Sequence, residues 1–250
     1  MKTVQKGIVE IIDVGLIPYK EAWDLQTALH RQLIENKREG YPNPQKHYFL
    51  LCEHPPVFTL GKSGSEDHLR INEEDRANKQ FEYFKINRGG DITYHGPGQL
   101  VGYPILDLDL LFTDVHKYVR FLEEVIIRVL QQYGIQGVRS DRYTGVWVEK
   151  DHASHEASKI CAIGVHLSRW VTMHGFAFNV NTNLSHFDYI VPCGIADPDK
   201  SVCSLASLLD KTLDLQQVKS RVIEKFGQVF DLETTSAPFE SINSFTLQNS

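Results

Sequence analysis

The sequence predicts a mixed α/β fold (α+β in the arrangement of its segments), with mixed β-sheets flanked by helices in a single domain. Three observations predict it. Runs with helical spacing alternate with short β-like runs along the chain. With 250 residues and 42% hydrophobic composition, the chain can bury one large core. No repeat and no Pro/Gly/Ser-rich linker divides it, so residues 1–233 are expected to form one domain, with 234–250 a polar and mobile tail.

The elements follow in order. Gly7 to Val14 reads as a first strand. Tyr19 to Lys37 carries Ala22, Leu25, Leu29 and Leu33 on one helical face. His47 to Cys52 and Val57 to Leu60 are apolar enough for buried strands. Phe81 to Asn87 leads into a glycine-rich stretch, and Leu100 to Leu106 leaves it. The clearest helix runs from Val115 to Tyr133, with Asp114 as its cap and Gly134 as its terminator. Gly145 to Val148, Lys159 to Leu167 and Phe176 to Val180 read as strands, and Asp151 to Ser158 as a polar loop between two of them. Ser201 to Lys211 and Leu215 to Phe230 close the domain as helices.

Bulk properties narrow the function. A formal net charge of -6 argues against a nucleic-acid partner. No apolar run approaches the roughly 18–20 residues that span a bilayer, and the first residues lack a secretory h-region, so no membrane association and a cytoplasmic location are expected. The four cysteines, Cys52, Cys161, Cys193 and Cys203, form no CxxC pair, which suits free thiols in a reducing compartment. Gly61-Lys62-Ser63 imitates the end of a phosphate-binding loop, but Pro56 stands where that loop needs glycine. His152, His155 and Glu156 lack the HExxH arrangement and read as solvated loop residues, so no metal is expected. There is no GxSxG elbow for a serine nucleophile.

The stretch RGGDITYHGPGQ, Arg88 to Gln99, holds four glycines and a proline in twelve residues. Such a backbone turns sharply or approaches another group without a Cβ clash. It is either a pair of tight turns or a ligand loop. Arg88, Tyr94 and His95 favour the ligand loop, because they set polar donors beside exposed backbone N–H groups. A wall of this kind can hold an acyl chain and polarise its carbonyl.

Two cysteines compete as nucleophile. Cys52 and Cys161 sit in apolar strand-like runs and read as core thiols. Cys203 lies near a helix start, where a dipole lowers a thiol pKa, although SVCSLASLL also suits a buried thiol. Cys193 is presented between Pro192 and Gly194; an inert turn cysteine is the alternative. A nucleophilic thiolate needs a cation nearby. Lys159 opens an apolar strand-like run, where it either snorkels to water or enters a cleft to meet the thiol.

Several segments together resemble the octanoyltransferases of lipoate assembly, the lipoate-protein ligase B family. They are LCEHPPVFTLGKSG, RGGDITYHGPGQLVGYPI, YTGVWV, KICAIGVHLSRWVTMHGFAFNVN, IVPCGI and SLASLL, collinear from Leu51 to Leu209. The resemblance implies a biotin/lipoate protein ligase-like fold and transfer of octanoyl in two steps. Cysteine takes the acyl group from octanoyl-acyl carrier protein as a thioester. The acyl group then passes to the ε-amine of a lysine on a lipoyl domain, in 2-oxoacid dehydrogenase complexes or the glycine cleavage H protein. The implied catalytic pair is Cys193 in VPCG and Lys159 in KICAIG. The implied acyl-binding segments are Arg88, Gly89, Gly90, Asp91, Ile92, Thr93, Tyr94 and His95; Ala162, Ile163 and Gly164; and Gly175, Phe176 and Ala177. No cofactor is implied. The chain departs from the family pattern in the long loop Asp151 to Ser158 and in its weakly matching termini. Two other readings stand beside this one: an ATP-dependent lipoate or biotin ligase of the same fold, and a non-catalytic acyl-carrier-binding protein.

Overall fold

Side chains alternate along the second strand, and that alternation sets the layers. Phe49 and Leu51 enter one buried cluster; Tyr48, Leu50 and Cys52 enter another on the opposite face. A computed structural model describes residues 7–40, 46–149, 157–191 and 200–242. It begins with β1 (Ile8–Leu16), α1 (Tyr19–Arg38), β2 (Lys46–Glu53), β3 (Val57–Leu60), α2 (Glu73–Asn78) and β4 (Glu82–Lys85). Then come β5 (Ile92–His95), β6 (Gln99–Ile105), α3 (Val115–Gln131), β7 (Val138–Arg139), β8 (Val146–Glu149) and β9 (Ala157–Ser168). The chain continues through β10 (Val171–Asn179), β11 (Lys200–Val202), α4 (Leu205–Leu209), α5 (Leu215–Phe230) and β12 (Glu233–Ser236).

Among the described residues the large sheet runs β12-β1-β2-β6-β10-β9-β8-β7, with β11 paired to β9. The pairs β1–β2, β1–β12 and β9–β11 are parallel; β2–β6, β6–β10, β10–β9, β9–β8 and β8–β7 are antiparallel. A second sheet, β4-β3-β5, stands apart. The mixed α/β expectation therefore holds.

Each face of the large sheet takes a helix layer. The apolar stripe of α1, Ala22, Leu25, Leu29 and Leu33, packs on Leu50, Val101, Tyr103 and Ile105. On the other face α3 and α5 supply Leu122, Ile126, Val222 and Phe226 against Phe49, Leu100 and Phe178. The Asp114 carboxylate accepts the Lys117 N–H at 2.9 Å, as its capping role requires. None of the described helices is long and apolar enough to cross a membrane.

Two sequence expectations give way. The helix expected from Ser201 starts at Leu205, where Ser204 and Ser207 form a reciprocal cap. Residues Lys200–Val202 instead run as a strand beside the start of β9, because that edge offers unpaired backbone groups and Val202 suits a pleated surface. The expected boundary between domain and tail falls inside β12, which pairs with β1 from Ile8↔Glu233 to Ile11↔Ser236. Beyond it, Ile242 is buried against the α1 face, so apolar residues hold down a segment that looks polar on average.

Candidate active site

The small sheet presses its edge loop onto the large one, and the seam between them is the site. The loop after Arg88 docks on protein backbone at both ends. Gly89 donates its N–H to the Val165 carbonyl at 2.9 Å, while Lys62 and Ser63 donate theirs to Arg88 and Gly90 carbonyls at 3.0 and 3.2 Å. Gly90 takes φ +87°, where an L side chain is strained. Opposite it, a Cβ on Gly164 would meet Arg88 Cδ and the Gly89 carbonyl, each at 2.9 Å. These glycines make room first for the protein's own loop, which lets a slot form beside it.

That slot is a narrow cavity of about 50 Å³, several times what one water needs. From the loop and β5, Arg88, Gly90, Asp91, Ile92, Thr93 and His95 line it. From β9 and β10 come Ala162, Ile163 and Gly164, then Gly175, Phe176 and Ala177. Lys159 lines the same slot. Three distant stretches of sequence thus converge because β9 and β10 pair with Ala162↔Ala177 and Gly164↔Gly175 in register.

Two of the expected wall residues stand elsewhere. Gly89 does not line the cavity; it anchors the loop to β9. Tyr94 faces the other side of β5, packed among Phe58, Phe81 and Phe187, with its hydroxyl 2.7 Å from His186 Nδ1. Strand alternation accounts for its direction: Ile92 and Tyr94 send their side chains into that cluster, although Ile92 also borders the slot, while Thr93 and His95 project from the other side of β5. The site also takes residues that the motifs did not single out, namely Tyr19, Val101, Tyr103, Thr144 and His174. Val101 and Tyr103 were legible in principle, being alternate residues of one strand on the α1 face.

Polar groups along the slot are held by one another. Arg88 Nη2 donates to the Thr59 carbonyl at 2.6 Å and to Thr59 Oγ1 at 3.0 Å, and Nη1 donates to the Gly89 carbonyl at 3.1 Å. His95 Nδ1 donates to Gln99 Oε1 at 2.8 Å, which leaves Nε2 to accept from Thr59 Oγ1 at 3.3 Å. Gln99 in turn donates to Asn179 Oδ1 at 3.0 Å. His95 thus orders the wall and faces the slot as a neutral imidazole. His54 Nδ1 donates to the Ile17 carbonyl at 2.8 Å and His54 Nε2 accepts from the Tyr103 hydroxyl at 2.7 Å.

Burial keeps these imidazoles neutral. It lowers His54 to about 4, and it lowers His174, with Arg88 adding, to about 3. His95 is held well below its usual range by burial and by neighbouring His54. Unfolding releases all three to a pKa near 6.5, so the unfolded chain binds more protons between pH 6.5 and the folded values. Stability is therefore full above pH 6.5 and is lost as pH falls toward 4, with a slope of about 1.4 kcal/mol per pH unit for each histidine. Urea unfolding at pH 7, 5.5 and 4.5 should show the midpoint dropping steeply; an unchanged midpoint would contradict the assignment of buried neutral histidines.

Lys159 occupies the mouth. It is 7% exposed, and its Nζ lies 4.7 Å from the centroid of the Trp147 ring. Beyond it opens a wider basin of about 500 Å³, lined by Arg70, Trp147, Lys159, Phe187, Ile190 and Ser201 among others. Cys193 lies outside the described residues, as do His152, His155 and Glu156. The other three cysteines are buried. Burial pushes the thiols of Cys52 and Cys161 well up, away from thiolate. Cys203 packs in the core with its Sγ directed to the Ser158 carbonyl at 3.7 Å.

Comparison with known proteins adds the following. Residues 18–227 match the family described as Lipoyl protein ligase A/B catalytic domain. An octanoyltransferase of Christiangramia forsetii is 50% identical over 230 residues, covering 90% of this chain and 97% of that one. An octanoyltransferase of Bacteroides thetaiotaomicron is 45% identical over 231 residues, covering 92% and 96%. Among solved structures, a bipartite lipoate protein ligase from Thermoplasma acidophilum superposes with TM-score 0.70 at 12% identity, covering 96% of this chain and 90% of that one. Lipoate-protein ligase A bound with ATP superposes with TM-score 0.69 at 12% identity, covering 98% and 94%. At that identity the structures speak for the fold alone.

Proposed function

The chain belongs to the lipoyl protein ligase A/B catalytic-domain family, and from that premise we propose that it is an octanoyltransferase working through a cysteine acyl-enzyme. The donor is octanoyl-acyl carrier protein, the nucleophile Cys193, the proton carrier Lys159 and the acceptor a lysine of a lipoyl domain. One observation carries this reading: Lys159 stands where a narrow, largely apolar slot meets a wider basin. Ile190 and Ser201, on either side of the segment that holds Cys193, both line that basin.

The reaction balances with these two side chains. The Lys159 ammonium stabilises the Cys193 thiolate, which attacks the donor's thioester carbonyl. The tetrahedral adduct expels the carrier's thiolate, which takes a proton from Lys159. The acyl group now sits on Cys193, and Lys159 is neutral. An acceptor amine then attacks the acyl-enzyme, gives its proton to Lys159, and displaces the Cys193 thiolate. The enzyme returns to its starting protonation. Exchange between thioesters changes little free energy, and amide formation draws the sequence forward.

Slot dimensions supply chain-length selection. Each methylene that finds a place contributes about 0.8 kcal/mol, roughly a factor of four in binding. Ala177 is 4% exposed and lines the slot, so Ala177→Leu should shift preference toward shorter chains. The kcat/KM ratio of octanoyl to hexanoyl donor should fall about tenfold or more, from two methylenes losing their place. An unchanged ratio would remove the slot from the reading.

The deciding experiment is intact-mass spectrometry after mixing the protein with octanoyl-acyl carrier protein in the absence of ATP. The expected product is one octanoyl adduct, labile to hydroxylamine and mapped to Cys193. Acylation that appears only with ATP and free octanoate would identify an adenylate-forming ligase; binding with no adduct would identify a carrier-binding protein.

A further inference from the structure

The segment Tyr143 to Val148 takes no part in the mechanism above, yet it closes on Lys159 from two sides. Strands β8 and β9 pair with a slip in register: Val146 lies opposite Cys161, and Trp147 lies opposite Lys159. A regular antiparallel ladder would set Trp147 opposite Ile160. The extra residue on β9 is Ile160, which is wholly buried in the α3–α5 core. Directly opposed residues of a ladder share a face of the sheet. Unbroken alternation from Cys161 would send Lys159 into the α3–α5 core, so the bulge turns Lys159 onto the face that carries the Trp147 ring. The ring is itself fixed, being 1% exposed with its Nε1–H donating to the Tyr143 carbonyl at 3.3 Å.

The turn before Trp147 is anchored just as firmly. Gly145 has φ +124°, and a Cβ there would lie 2.5 Å from the Cys161 carbonyl oxygen and 3.6 Å from Lys159 Cε. Glycine therefore lets this backbone lie along the lysine stem. Its N–H donates to Glu123 Oε1 at 3.1 Å, and Glu123, 1% exposed on α3, takes Arg120 and Arg139 on its other oxygen at 2.8 and 3.2 Å. A buried carboxylate of the core thus holds the backbone on which Trp147 stands.

We infer that Trp147 is a positioning residue for Lys159: its indole face receives the ammonium and keeps it at the junction of slot and basin. The inference rests on the reading of Lys159 as proton carrier. The aromatic quadrupole attracts a cation held over the ring, more so away from water. Without that face, the ammonium loses the attraction of the ring that it lies over.

The test uses the full chain and single-turnover acylation by octanoyl-acyl carrier protein, with thermal midpoints in parallel. Trp147→Phe keeps an aromatic face and should acylate within about threefold of the parent, whereas Trp147→Leu should lose about tenfold or more. A fluorination series separates position from packing. With Trp23 and Trp170 replaced by Phe, biosynthetic replacement of Trp147 by mono-, di- and trifluorotryptophan drains the ring's negative face at nearly constant size. Within that background the acylation rate should fall stepwise with each fluorine while the midpoint holds. A flat fluorination series, or Leu equal to Phe at equal midpoints, would overturn the role of Trp147. Lys159→Ala run alongside separates the two ideas. If it is slow while the fluorination series is flat, only the tryptophan's role fails; if it acylates normally, the reading of Lys159 fails and takes the positioning role with it.

Discussion

Cys193→Ala abolishes transfer: turnover with octanoyl-acyl carrier protein and a lipoyl-domain acceptor falls by about a thousandfold or more, as loss of a covalent nucleophile does. No hydroxylamine-labile adduct forms. Cys193→Ser gives the same result, because an alkoxide is far harder to generate than a thiolate beside one ammonium. The control is Cys203→Ala. Its thiol is buried and directed to the Ser158 carbonyl, so its loss leaves turnover within a few-fold of the parent. Burial also pushes the Cys52 and Cys161 thiols well up, so neither replaces a missing nucleophile. A dead Cys203 variant beside an active Cys193 variant would reverse the assignment.

Lys159→Ala slows both half-reactions, by about 10²–10⁴-fold at pH 7, the usual worth of a positioned proton carrier. Its pH dependence is the diagnostic feature. If Lys159 is the cation that the proposed mechanism pairs with Cys193, removing it makes thiolate harder to form. The thiolate fraction at pH 7 is then small and rises with pH. Alkylation of Cys193 by iodoacetamide, followed by mass spectrometry from pH 6 to 10, should therefore move its midpoint upward in the variant. Raising the pH restores alkylation but not full transfer, since the proton relay is still missing. An unmoved midpoint would mean that Lys159 does not act on the thiol.

Much of the fold was legible in sequence, for reasons visible in particular elements. The stripe Ala22, Leu25, Leu29 and Leu33 has helical spacing, and all four side chains are buried under α1. Asp114 precedes a strongly amphipathic run, and it caps α3. Where long-range pairing decides, local pattern fails. Lys200–Val202 becomes a strand only because the start of β9 is available as its neighbour. β12 forms only because β1 presents an edge.

The site divides the same way. By itself the sequence carried the family, through collinear motifs from Leu51 to Leu209, and that resemblance implied the pair of residues to question and the three segments to examine. Only the tertiary structure decided which side chains face the slot. Period-two alternation sets Thr93 and His95 toward it and Tyr94 away. Sheet register brings Gly164 beside Gly175, and a bulge sets Trp147 opposite Lys159. Facing, register and bulges are relations between strands, set by hydrogen bonds across tens of residues, and no local run of amino acids contains them.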